Sequence, residues 1–168
     1  ADLATLGNII GGVLPIGALG GRCYIMDCLA PLGDVYQAGT LSGNPVTVAA
    51  GLATLEVISQ AGFYTTLSAS TEKLISGLLE LAKSAGMSFQ AHHIGGFFGL
   101  FFTEETDVYC YEQVTLGNQL LFKEFFHRML AEGVYLSPSL FESGFISSAH
   151  GEQELEFTLT AAEKVFNK

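Results

Sequence analysis

Read for the spacing of its apolar positions, the chain changes character near residue 44. Before that point no helical period appears. Short apolar pieces such as "VLPIGALGG" are broken by glycines, and the segment reads as strands and tight connections, not as a low-complexity linker. At "SGNPVTVAAGLATLEVI", Asn44 offers a side-chain N-cap, and Pro45 suits the first helical position, where no N–H is needed. Apolar residues then fall almost all round a helix of about residues 45–60, which predicts a deeply buried element.

Further along, "GFYTTLSASTEKLISGLLELAKSAG" places Leu67, Leu74, Ile75, Leu78, Leu81 and Ala82 on one stripe, with Gly86 positioned to close the helix. "FFGLFFT" (97–103) reads as an aromatic strand after the turn-like pair Gly95-Gly96. "LGNQLLFKEFFHRMLAEG" predicts an amphipathic helix ending at Gly133, and "VYLSP" a short strand. "EQELEFTLTAAEKVF" predicts a last helix with acids in its first turn, where the helix dipole favours them. From about residue 62 the order helix, strands, helix, strand, helix predicts a compact α+β domain, joined by the 45–60 helix to the tail of something larger.

Composition sharpens this picture. Hydrophobic residues make up 49% of 168 positions and the mean hydropathy is +0.39. That is rich for a soluble monomer, so apolar surface is expected to pack on a partner chain or on a further part of the same chain. No apolar run approaches the ~18 residues a membrane helix needs, and no membrane partner is expected. A net charge of −10 with only seven Lys and Arg argues against a nucleic-acid partner, because a phosphate backbone needs clustered cations. Cys23, Cys28 and Cys110 are odd in number and loosely spaced, which suits a reducing compartment. The expected location is cytoplasmic, or a plastid if a leader lies upstream, since "ADLATLG" carries neither an initiator Met nor a targeting segment.

Most candidate chemistry is unpromising. His92 and His93 are adjacent, so on a strand they point to opposite faces and do not chelate together. His127, among Phe125, Phe126 and Met129, reads as a partly buried structural histidine, and His150 precedes the last helix. No H-x3-H or H-E-x-x-H is present, so no metal is expected. "TLSGN" lacks the G-x-S-x-G elbow, and "GGVLPIGALGG" is not G-x-G-x-x-G in register. "YQAGTLSGNP" is better: Gly39 and Thr40 offer two backbone N–H groups and one hydroxyl, a cradle for a phosphate dianion. An ordinary loop leading into a capped helix accounts for the same residues equally well.

The segments "LGNIIGGVLPIGALGGR", "VYQAGTLSGNP", "GGFFGLFFT" and "MLAEGVYLSPSLFESGFISSAH" resemble the glutamate-1-semialdehyde 2,1-aminomutases, pyridoxal-phosphate enzymes of the class III aminotransferase group. "GTLSGNP" marks the wider group; "VYQAGTLSGNP" together with "LSPSLFESGFISSAH" is more specific to the aminomutases. The resemblance runs the length of the chain and covers only the C-terminal portion of the family's proteins. It implies an α/β architecture: residues 1–61 as the end of the large domain of fold type I, with its linking helix, and residues 62–168 as a C-terminal α+β small domain. It implies pyridoxal 5'-phosphate as cofactor, a homodimer, and a small-molecule substrate. The implied reaction converts glutamate 1-semialdehyde to 5-aminolevulinate, a tetrapyrrole precursor, by exchanging amino groups between adjacent carbons through a diamino intermediate.

Residue by residue, the resemblance implies that Gly39 and Thr40 bind the cofactor phosphate across the dimer interface and that Tyr36 lines the cofactor and substrate pocket. Glu142 would face the active site and interact with amino groups. A solvated loop carboxylate is the alternative for Glu142, although Leu140, Phe141, Phe145 and Ile146 around it argue against full exposure. The family's first motif reads L-G-K-I-I-G-G, and its lysine forms the Schiff base with the cofactor. This chain has Asn8 there, and Val13 where a third glycine is usual. A carboxamide nitrogen is not a nucleophilic amine, so the chain itself is expected to be inactive; Asn8 as a turn cap in a non-catalytic relative is the other reading. Two alternatives accompany the assignment: another class III ω-aminotransferase, or a non-catalytic folding and dimerisation fragment.

Overall fold

A computed structural model describes residues 1–167, with the side chain of Asn8 outside the described residues. The chain divides into two compact units between Phe63 and Tyr64.

In the first unit, strands β1 (Leu3–Leu6) and β2 (Ala18–Gly21) pair antiparallel, Leu3 opposite Gly21 and Leu6 opposite Ala18. The connection between them carries a 3-10 turn, Asn8–Gly11, closed by Gly12 in the left-handed region. A short helix α1 (Cys23–Met26) follows β2. Helix α2 (Pro45–Ile58) starts where the cap residues predict: Asn44 Oδ1 accepts from the N–H groups of Val46 (3.1 Å) and Thr47 (3.2 Å), with Pro45 at the first position. Such a cap contributes about 1 kcal/mol. The 3-10 turn rests on a small-residue face of α2. Gly51 is buried there, and a Cβ added to it would lie 3.1 Å from the Ile10 carbonyl oxygen.

The deep burial expected of this helix is not found. Within α2 only Thr47 and Gly51 are buried, while Val46, Leu52, Leu55 and Val57 are exposed. Its apolar residues run all round, and the 3-10 turn covers only the strip around Gly51. An all-round apolar pattern shows that a helix is fit for burial but does not supply the covering surface.

The second unit has a core of its own. Helix α3 (Phe63–Ser84) buries Leu74, Ile75, Leu78 and Ala82 of the predicted stripe together with Thr71, while Leu67 and Leu81 of that stripe are partly buried against the core. Gly86 closes it at φ 68°, where its N–H reaches the Lys83 carbonyl at 3.1 Å. Strands β3 (Gln90–Ile94) and β4 (Phe97–Phe101) form an antiparallel hairpin through the Gly95-Gly96 turn, and β5 (Gly144–Phe145) adds to β4 with Phe97 opposite Phe145. A short α4 (Tyr111–Thr115) leads to α5 (Gln119–Ala131), capped by Asn118 accepting from the Leu121 N–H at 3.0 Å. Phe122, Phe125, Phe126 and Met129 form its buried face at helical spacing. Helix α6 (Glu152–Phe166) opens with Glu154 accepting from the Gly151 N–H at 2.9 Å. Phe89, Phe102, Phe125 and Phe166 meet in the centre with ring centroids 5.1 to 5.6 Å apart.

The strand expected at 134–138 is absent. The Val134 N–H returns to the Met129 carbonyl at 2.9 Å, closing the helix behind Gly133, and Pro138 has no N–H for a ladder. Pairing with β4 falls instead to Gly144 and Phe145.

Candidate functional site

The predicted site residues fall in two groups, one in each unit. In the first, residues 37–44 approach α2 as an open loop. Within it the Ser42 N–H donates to the Gly39 carbonyl at 3.0 Å and the Asn44 N–H to the Leu41 carbonyl at 3.1 Å. These bonds leave the N–H groups of Gly39, Thr40 and Leu41 without an acceptor among the described residues, and the Thr40 hydroxyl likewise. Three successive unsatisfied N–H donors and a hydroxyl are the kinds of donor an anion site uses. The space is set by glycine: a Cβ on Gly39 would stand 2.9 Å from Ser42 Oγ. A cavity of about 460 Å³ adjoins the loop, lined by Pro15, Gly17, Gln37, Gly39, Ser42 and Asn44 among others. Gly39 and Leu41 are among its lining residues and Thr40 is not, so the donor types suit a phosphate group while the Thr40 hydroxyl is not placed at the cavity. Asn44 already satisfies the first N–H groups of α2, so the loop, not the helix end, supplies the free donors.

Tyr36 lies just before this loop and is 82% exposed, outside the lining of the cavity. Asn8 begins the 3-10 turn, in the connection that also contains Pro15 and Gly17. Val13 takes φ 72°. A Cβ makes that region unfavourable by about 1–2 kcal/mol through its approach to a backbone carbonyl, a physical reason for glycine being usual at this position.

In the second unit Glu142 sits on the loop 137–143, between two buried anchors, Leu140 and Ile146. Glu142 itself is exposed, as are Phe141 and Phe145, so the apolar neighbours bring less cover than their sequence suggests. The loop is braced by Ser139: its carbonyl accepts from the Glu142 N–H at 3.0 Å and its hydroxyl from the Phe141 N–H at 3.2 Å. Ser137 Oγ donates to Glu142 Oε2 at 2.7 Å. Sequence reasoning passes over Ser137, although its place immediately before Pro138 signals a fixed, extended backbone.

Of the histidines, His127 shares a cavity lining with Pro138, Ser139, Leu140 and Phe141 of the Glu142 loop. His92 Nε2 lies 2.9 Å from Asp107 Oδ1, and Ser147 N–H donates to His150 Nδ1 at 2.9 Å. His127 is exposed, not partly buried as its Phe neighbours suggest, because the apolar stripe of α5 passes through 122, 125, 126 and 129 and leaves 127 outside it. Among the described residues no three His, Cys, Asp or Glu gather to hold a metal ion, and no single helix is long and apolar enough to cross a membrane. The three cysteines are free and exposed.

The class-III aminotransferase family model matches residues 1–143. Over 165 residues the chain is 52% identical to a glutamate-1-semialdehyde 2,1-aminomutase of Laribacter hongkongensis (strain HLHK9), a match covering 98% of this chain and 39% of that protein. Among solved structures it is similar to a β-phenylalanine aminotransferase from Variovorax paradoxus (28% identity, TM-score 0.87, 98% of this chain and 38% of that one). It also shares its fold with a lysine-to-alanine variant of a glutamate-1-semialdehyde-aminomutase from Pseudomonas aeruginosa PAO1 in complex with PMP (19% identity, TM-score 0.80, again 98% and 38%). The chain thus spans about two fifths of the length of the proteins it matches, and its mixed helix-and-sheet fold is that of the corresponding portion of these transaminases.

Proposed function

The chain belongs to the class III aminotransferases, and on that premise we propose that it is the C-terminal portion of a pyridoxal-phosphate aminomutase that converts glutamate 1-semialdehyde to 5-aminolevulinate. In this reading residues 1–61 end the cofactor domain and residues 62–168 are the small domain. The observation that carries the cofactor assignment is the run of unsatisfied N–H groups at Gly39, Thr40 and Leu41. The name of the 52% identical relative supports this choice of substrate.

When bound, pyridoxal phosphate supplies an electron sink for bonds at the amino-bearing carbon. The residues of this chain orient and hold. The 39–41 donors and the Thr40 hydroxyl would grip the phosphate dianion; in the proposed homodimer they would serve the partner subunit's site. The Tyr36 ring, exposed in this chain and outside the cavity beside the 37–44 loop, would line the substrate pocket of the longer protein. The Glu142 carboxylate would accept hydrogen bonds from substrate ammonium groups and fix which of two neighbouring amino groups faces the reacting carbon. Asn8 offers no amine, so the chain as it stands is inactive in this reading. Cytoplasmic location suits the three free cysteines.

A second reading, a class III aminotransferase that passes amino groups between separate molecules, is favoured by the β-phenylalanine aminotransferase structure, which aligns at TM-score 0.87 against 0.80 for the aminomutase structure. The longer protein, with Asn8→Lys, should isomerise glutamate 1-semialdehyde with no external amino acceptor. Strict dependence on an added 2-oxo acid would instead select the second reading. With Asn8 retained, borohydride treatment should leave no cofactor-mass adduct on residue 8 by peptide mapping, and turnover should be lost; full turnover with Asn8 would end the assignment of inactivity.

A further inference from the structure

We propose that Ser137 is the positioning residue of Glu142: its hydroxyl holds one carboxylate oxygen, so that the other is presented in a fixed direction to the ammonium group of the substrate. The inference rests on the reading of Glu142 given above. Glu142 Oε2 accepts from Ser137 Oγ at 2.7 Å, and Oε1 has no partner among the described residues. One oxygen is therefore anchored and the other is free to accept.

Both ends of this bond are set before any ligand arrives. Ser137 precedes Pro138, whose ring clashes with a helical backbone at the preceding residue and leaves it extended. At the other end, the Glu142 N–H is tied to the Ser139 carbonyl at 3.0 Å, and buried Leu140 anchors the loop between them. What is left undetermined is the carboxylate itself, which without the hydroxyl would sample several staggered side-chain rotamers. Glu142 is exposed in this chain, and a hydrogen bond in water adds little net stability. Its effect is expected when a bound substrate displaces that water, because a hydrogen bond to a charged group strengthens as the local dielectric falls. A hydroxyl donor pins the carboxylate without adding a charge that would compete with the ammonium of the substrate.

The first test needs no cofactor. In the 168-residue chain, side-chain NMR order parameters of Glu142 should fall in Ser137→Ala and be retained in Ser137→Thr. Equal order in the parent and Ser137→Ala would overturn the proposal. The second test uses the longer protein carrying Asn8→Lys. Ser137→Ala should lower kcat about tenfold, the scale of one hydrogen bond to a charged group. KM, and the dissociation constant of pyridoxamine phosphate read by its absorbance, should stay within about twofold, and Ser137→Thr should restore kcat. In a Glu142→Ala background the same Ser137→Ala change should cost nothing further, since residues acting through one another are non-additive. An undiminished loss in that background would show that Ser137 acts through the fold and not through Glu142. Parental turnover in Glu142→Ala alone would remove the reading of Glu142, and this inference with it, a result distinguishable because the order parameters of the first test would be unaffected.

Discussion

Thr40 adds a hydroxyl to a loop whose backbone already presents free N–H groups, so its substitution separates holding from chemistry. In the longer protein with Asn8→Lys, Thr40→Ala should weaken cofactor binding about ten- to a hundredfold, the equivalent of roughly 1.5–3 kcal/mol for a hydrogen bond to a charged partner. Turnover at saturating cofactor should change little, because the phosphate is remote from the reacting carbon. Tyr36→Phe keeps the ring and should do the opposite, lowering turnover while leaving cofactor affinity intact. Titration of both variants alongside their turnover measures the difference; unchanged affinity in Thr40→Ala would remove the cradle. At this scale the sequence is legible where backbone constraints dominate. Asn44-Pro45 fixes the start of α2, so the glycines before it have to form a turn. It is silent where a side chain chooses its partner through folding: the Ser137–Glu142 bond follows from the path of the loop around Leu140, which no spacing rule encodes.

Among the elements, β5 is the one that ties the Glu142 loop to the sheet, and glycine makes it possible. A Cβ at Gly144 would overlap the Phe98 ring, with Phe98 Cε1 only 2.7 Å away. Phe98 is buried at 5% exposure and has no room to yield. Gly144→Ala should therefore destabilise the chain by about 1–3 kcal/mol, the usual cost of overpacking, measured by urea unfolding. Gly20→Ala in β2, where an added Cβ meets nothing within 4 Å, should stay within about 0.5 kcal/mol. Equal effects of the two would mean that the close approach of Phe98 does not govern β5. The helices α3 and α5 are readable in advance because each carries a one-sided stripe, and a one-sided stripe dictates its own burial; α6 is announced by the acids of its first turn. "VYLSP" misleads because strand propensity describes fitness for a ladder and cannot name the ladder. Residues 134–138 find no neighbouring strand, while Gly144 and Phe145, too short to stand out, do.

At the scale of the whole chain, burial is distributed unevenly between the two units. Every buried hydrophobic residue of the core lies between Leu74 and Phe166. Within residues 1–63 Leu3, Leu6, Ile9, Leu19, Leu52 and Leu55 are all exposed, and among the described residues β1 and β2 form a two-stranded sheet. An isolated two-stranded sheet is marginally stable at best, and its open edges invite pairing with other chains. Each large apolar side chain buried contributes about 1.5–3 kcal/mol, so nearly all the hydrophobic stabilisation belongs to residues 64–168. Local opening follows local stability, and a protease samples the open state. Limited proteolysis of the chain should therefore remove residues 1–60 first and leave a fragment of about residues 62–168 that still unfolds cooperatively. Early loss of the C-terminal half with residues 1–60 protected would refute this division. In the longer protein the same bonds within residues 1–60 should resist cleavage, because the proposed cofactor domain would cover the leucines that this chain leaves in water.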